Sequence, residues 1–355
     1  MVLKTKHWLA LSLVPQVLLV KVLGSNPEWV ETYYSEGIYP YISRFLRFLF
    51  GWAPFSVGDL FYTLLTFAAI RYLYLHGRTI WQRPKRFLVD LGSVLAVAYF
   101  IFHLFWGMNY YRLPLEEKLG IGREYSVAEL ETFTQSLVDQ SNHYQLLLTK
   151  DSTKAVQIPY SRPEIFNEVL SGFDSLATDY PGFTYKRPSI KKSIYSLALT
   201  YMGYGGYLNP FTNEAQVNGI IPIVRYPTVS AHEIGHQVGY SSESDTNFIG
   251  FLTCSKVSDP YYKYAAYSHA LGYCLSDLRK KDREKLDAVW KNLNPGVKKN
   301  YAEIRDFWRR YENPTEPVFK AMFNAYLKAN NQEDGIQSYN KVVGLLVNYD
   351  KRYGF

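Results

Sequence analysis

The chain has 355 residues and a formal net charge of +7, with 39 Lys and Arg against 32 Asp and Glu. With 47% hydrophobic and 17% aromatic residues it can bury a sizeable core and need not be one domain. No zinc-finger spacing or nucleic-acid module accompanies the basic excess, so the charge points to anionic lipid or an envelope surface and away from nucleic acid. The two cysteines, Cys254 and Cys274, can pair or stay as buried thiols, and their spacing rules them out as zinc ligands.

Taken from the N-terminus, the apolar run from His7 to Leu23 follows Lys4 and Lys6 and is about as long as a membrane helix. A cleaved signal peptide fits the same run, with Val22 and Gly24 before a cut. In residues 24–54, Ile42, Phe45, Leu46, Leu49 and Phe50 recur at helical spacing, which predicts an amphipathic helix against the membrane or the next domain. Apolar stretches over about 55–76, interrupted by Arg71, and over about 87–108 predict a second and a third span. Between them lie Arg78, Arg83, Lys85 and Arg86 with no acid, which places that loop and the N-terminus in the cytoplasm. Three crossings then leave everything after about Arg112 outside. The expected organisation is a membrane anchor over 1–111, with spans near 7–23, 55–76 and 87–108, and an extracytoplasmic domain over 112–355.

In the second half, Ser126-Val-Ala-Glu129 reads as a capping box for a helix towards residue 148, and Arg162 to Leu176 predicts another. Ser189 to Leu199 fits helix or strand. The glycine- and tyrosine-rich stretch Tyr201 to Glu214 suits an edge strand and turn, with Ile220 to Tyr226 as its pairing partner. After Leu252 the patterns are helical to the end.

The chemistry concentrates in His232-Glu233-Ile-Gly-His236. On a helix, residues four apart share a face, so His232 and His236 can each offer a ring nitrogen to one metal. Glu233 sits beside them as a base for a water that zinc acidifies. Pro222 and Pro227 break the preceding chain, Thr228 or Ser230 can cap the helix, and Gly239 fits its stop. The same letters occur by chance on surface helices; the glycine stop and the acids that follow favour the metal. A third ligand is needed, and Glu243, opening the next helical pattern after a turn at Gly239, is preferred over Asp245. Asn247, one turn further on, can accept the second ring N–H of a ligand histidine, while Asp245 and Glu214 are placed in supporting positions around the site. Tyr339 and Tyr267 are the tyrosines chosen to donate to an oxyanion.

The run from His232 to Phe248 resembles a family of bacterial membrane proteins with a zincin-type motif, catalogued as a domain of unknown function. Four more segments carry the likeness: Pro54 to Asp59, Trp106 to Arg112, Pro210 to Asn218 and Leu327 to Tyr339. The resemblance implies membrane attachment and zinc at His232, His236 and Glu243, and no substrate. Ser244, Asp245 and Thr246 depart from the expected pattern without touching the ligands.

The expected fold class is mainly α (α+β): three N-terminal transmembrane helices, then a zincin-like, mostly helical domain with a small β-sheet. The expected activity is zinc-dependent hydrolysis of peptide bonds in a peptide or envelope protein at the bacterial cell membrane, with membrane lipid as the other partner. The alternative is a catalytically inactive, zinc-stabilised membrane scaffold or receptor of the envelope.

Overall fold

The computed structural model describes residues 5–332 and 341–355. Helix α1 (Thr5–Gly24) is followed by a π-helical segment, Val30–Ile38, and by α2 (Tyr39–Phe50), α3 (Val57–Gln82) and α4 (Pro84–Phe105). Among the described residues only α1 and α4 are long and apolar enough to cross a membrane, and the two pack against each other. The expected three-span anchor is therefore corrected to two candidate spans. Helix α3 covers the stretch expected as the middle span, but Arg71, His76 and Arg78, with Tyr62, Tyr72 and Tyr74, make it too polar. Two candidate spans do not supply the three crossings on which an extracytoplasmic body depended.

The start of α3 is instead fixed by buried carboxylates. Ser56 caps the helix by accepting from the Asp59 N–H, and Glu214 accepts the backbone N–H groups of Val57 and Gly58, satisfying donors that have no partner within the helix. The Asp59 carboxylate accepts from Ser193 Oγ at 3.0 Å, from the Ile194 N–H at 2.8 Å and from the Tyr207 hydroxyl.

The body begins with α5 (Val127–Thr149), whose Ser126 and Glu129 form both halves of the expected capping box, and α6 (Arg162–Asp179). Strand β1 (Ile190–Lys192) and helix α7 (Ser196–Tyr201) divide the stretch that fitted either state. Strand β2 (Gly206–Asn209) turns through Asn213, which has a positive φ of 52°, into β3 (Glu214–Val217). The sheet order is β1-β3-β2, with β1 parallel and β2 antiparallel to β3, so that Leu208 and Ile190 both register with Ala215. The partner of β2 is thus Glu214–Val217 and not Ile220 to Tyr226, whose Pro222 leads into a 3-10 turn.

Helices α8 (Tyr226–Gln237), α9 (Glu243–Lys256), α10 (Pro260–Lys281), α11 (Arg283–Lys291), α12 (Pro295–Arg309), α13 (Glu316–Ala329) and α14 (Val342–Tyr353) complete the chain. Helix α9 is the centre of the core. It is buried almost all round, packed by α6, α8, α10 and α14, and so carries no polar face. Gly172 permits the contact with α6, since a Cβ there would lie 2.5 Å from the Thr253 carbonyl oxygen. Gly172→Ala is expected to destabilise the fold by about 1–3 kcal/mol through overpacking. An unchanged thermal unfolding midpoint would refute that packing.

Where the N-terminal segment meets the body, Glu31 takes a bidentate contact from Arg112, at 2.6 and 2.9 Å, and a further one from Lys118. Arg112 also donates to the Gly239 carbonyl at 2.8 Å, with its guanidinium 4.0 Å from the Tyr240 ring centre. Hydrogen bonds therefore cross the expected boundary at residue 111.

Candidate metal centre

Helix α8 starts at Tyr226, earlier than the expected caps Thr228 and Ser230, because Pro227 sits in its first turn, where a missing N–H removes nothing. It stops where expected: Gly239 has a φ of 98°, a left-handed conformation that suits glycine. The chain then turns, Ser242 caps α9 by accepting from the Asp245 N–H, and Glu243 falls in the first turn of α9.

This brings two imidazoles and a carboxylate together. His232 Nε2 lies 3.3 Å from Glu243 Oε2, and His236 Nε2 lies 3.8 Å from Glu243 Oε1. Each Nδ1 faces an acceptor, Asn247 Oδ1 at 2.9 Å for His232 and the Tyr240 carbonyl at 2.7 Å for His236. Those acceptors hold the ring proton on Nδ1 and leave each Nε2 as a lone-pair donor. One ligand atom each from His232, Glu233 and His236 lies within 4.8 Å of the others. Glu233 is buried, and its Oε2 has no hydrogen-bond partner among the described residues. Its other oxygen lies against Gly206, where a Cβ would approach to 2.5 Å.

Burial pushes the Glu233 carboxyl up to about 8, with His232 opposing and Glu243 adding to the shift. Burial pushes His236 down to about 4 against the pull of Glu243. For His232 burial also works downward, but contact with Glu243 and the charge of Glu233 outweigh it and the net shift is upward. Buried imidazoles with free Nε2 atoms, beside a carboxyl with an unsatisfied oxygen, are the donor set a divalent cation takes up. The His-Glu-x-x-His cluster can chelate a metal ion.

The remaining expected residues lie as follows. Asn247 is on the His232 ring. Asp245 turns the other way, 3.4 Å from Arg123 and from the Leu115 N–H. Glu214 is buried at the start of α3, holding backbone N–H groups there. Tyr267 stacks on Tyr144 at 5.7 Å and meets the edge of Phe251. Tyr339 lies outside the described residues. Cys254 and Cys274 are both buried free thiols.

The cluster sits in an open cleft of about 740 Å³, walled by β2, Trp106, Tyr110 and helices α7, α12 and α13. Sequence reasoning missed several of its residues. Trp106, just past α4, donates its indole N–H to the His236 carbonyl at 3.1 Å and sets its ring edge-on to that imidazole. Tyr204 and Tyr326 face the cleft, and burial together with the Glu243 charge raises each hydroxyl to about 12. His269 and Arg225 also line it. The Trp106 to Arg112 segment already carried the family likeness, and that was the one available signal.

The family described as "Protein of unknown function (DUF3810)" matches residues 34–347, most of the chain. The chain belongs to the DUF3810 family. No curated protein and no solved structure matches it. In this DUF3810 protein the buried His-Glu-x-x-His helix therefore stands on its own geometry. Asn247→Ala is expected to weaken metal affinity about 10–100-fold by freeing the His232 ring. Competition against a chelator of known strength measures it, and an unchanged affinity would remove Asn247 from the site.

Proposed function

We propose that this DUF3810 protein is a membrane-anchored zinc peptidase, with His232, His236 and Glu243 as the zinc ligands and Glu233 as the general base. The observation that carries the reading is the approach of both Nε2 atoms to the Glu243 carboxylate at the floor of an open cleft. Zinc bound there would polarise the scissile carbonyl and bring the pKa of a water to about 7.

Glu233, beside the cluster with one oxygen unsatisfied, accepts the proton of the attacking water and returns it to the leaving nitrogen. Tyr326, whose hydroxyl accepts from Tyr110, stays protonated at neutral pH and supplies a hydroxyl donor to the carbonyl oxygen, whereas the Tyr204 hydroxyl donates to the Phe319 carbonyl at 3.3 Å. The free edge of β2 runs along the cleft, so an extended peptide can add to it as a strand, with Gly205 and Gly206 permitting close approach. Anchoring by α1 and α4 sets this chemistry at the end of a candidate span, because Trp106 bonds the metal helix directly. A purely structural zinc site is closed by its ligands; a cleft of this size next to Glu233 favours hydrolysis over the scaffold.

Metal analysis of the purified full chain tests the ligand set. About one zinc per chain is expected, lost in Glu243→Ala and kept in Asp245→Asn. A folded wild-type chain that takes up no zinc when supplied with it would sink the proposal.

A further inference from the structure

We propose that Arg225 forms a carboxylate-binding subsite in the cleft and selects peptides that carry an acidic group about three residues from the scissile bond. The assignment rests on the peptidase reading and names its substrate class.

Arg225 directly precedes α8 and lies about two helical turns, about 10 Å along the axis, before His232. That spacing returns it to the same face of the helix, and both residues line the same cleft. An extended peptide advances up to about 3.3–3.6 Å per residue, so roughly three residues bridge the two points.

Among the described residues the guanidinium has no counterion: it makes no ion pair and no side-chain hydrogen bond, and its Nη1 is buried with no partner. Other buried and half-buried arginines show how this chain normally treats such a group. Arg112 is paired with Glu31, Arg123 with Glu116, and Arg47 donates to the carbonyls of Lys186 and Arg187. Two of the three tyrosines around Arg225 are committed elsewhere: Tyr264 donates to Asn300 at 2.7 Å and Tyr301 to the Ser268 carbonyl at 2.6 Å, while Tyr273 stacks on His269. Desolvation lowers the Arg225 pKa, with Tyr301, Tyr273 and Tyr264 opposing it.

A half-buried cation with unused donors in a fixed fork is complementary to a carboxylate, which it can bind through two parallel hydrogen bonds. The N-terminal end of α8, a helix of 12 residues, adds positive potential at the same place. Among the described residues, the acids lining the cleft are Glu233 and Glu243, at the metal end. In a peptide substrate the carboxylate is either the chain terminus or an Asp or Glu side chain.

Three probes distinguish these sources on the zinc-loaded full chain. Each has a metal-binding hydroxamate followed by three residues: one ends in a free carboxylate, one in a carboxamide with Glu at the third residue, one in a carboxamide with Gln there. Calorimetric titration reads the affinities. One or both acidic probes are expected to bind about tenfold or more tighter than the neutral one. The acid that gains names the source. Arg225→Gln should abolish that gain, with zinc content and the affinity of the neutral probe retained, and Arg225→Lys should restore part of it.

Equal binding of all three probes to the wild type, or a gain that survives Arg225→Gln, overturns the subsite and leaves the zinc reading standing. Failure of every probe to bind a zinc-loaded chain overturns both.

Discussion

Glu233→Gln is expected to keep its zinc and to lose peptide hydrolysis by about 10²–10⁴-fold, the range a positioned general base supplies. The substitution preserves volume and the contact with Gly206, so the cleft keeps its shape. What it removes is the carboxyl that burial and the Glu243 charge hold up to about 8, against the opposing charge of His232. An amide there cannot take a proton from water at any working pH. Zinc content and turnover are measured on the same preparation. Loss of both together would mark Glu233 as a structural or ligating group, and full turnover would remove it from the mechanism.

Glu31→Gln is expected to destabilise the protein by about 3–5 kcal/mol, because it strands the buried guanidinium of Arg112. The effect reaches the metal helix. Arg112 also holds the Gly239 carbonyl and the Tyr240 ring, and the Tyr240 carbonyl accepts from His236 Nδ1. The pair has a definite pH signature. Burial raises the Glu31 pKa, but hydrogen bonds and charge from Arg112 and Lys118 outweigh it, and the folded value lies below the ordinary 4.5. A depressed carboxyl contributes its stability in full above that ordinary value and loses it as pH falls through the folded one. Thermal unfolding in detergent should therefore show the wild-type midpoint dropping as the pH is taken below 4.5, and a shallower slope for Glu31→Gln. Parallel slopes would show that Glu31 is not depressed.

The metal cluster was legible because its parts are close in sequence. His232, Glu233 and His236 share two turns of one helix, and Glu243 and Asn247 follow after a single glycine turn. The capping box at Ser126 is equally local. What escaped is set by contacts far along the chain. Asp59 carried no assigned role and Glu214 was expected beside the metal site, yet both hold the start of α3 through partners more than a hundred residues away. Helix α9 was expected from Glu243 onward, but its place at the centre of the core, buried almost all round, was not. The middle span was expected from its apolar residues, although Arg71, His76 and Arg78 weigh against it. Tyr204 and Tyr326 could not be singled out among 32 tyrosines without the cleft that collects them. Arg225 carries no pattern at all; only its missing partner distinguishes it.

The hydrogen bonds at the end of α8 bear on how this protein can be divided. The last carbonyls of a helix have no partner within it. Here they are supplied largely from the N-terminal third: Trp106 on His236, Tyr39 and Ser43 on Gln237, and Arg112 on Gly239. A fragment beginning at residue 113 would lose all four donors and expose the very turn that carries the second histidine. Splicing the body to another anchor would remove these donors from the end of the metal helix. By the same connection, a shift of α4 along its own axis would be felt at the His236 ring through a single indole.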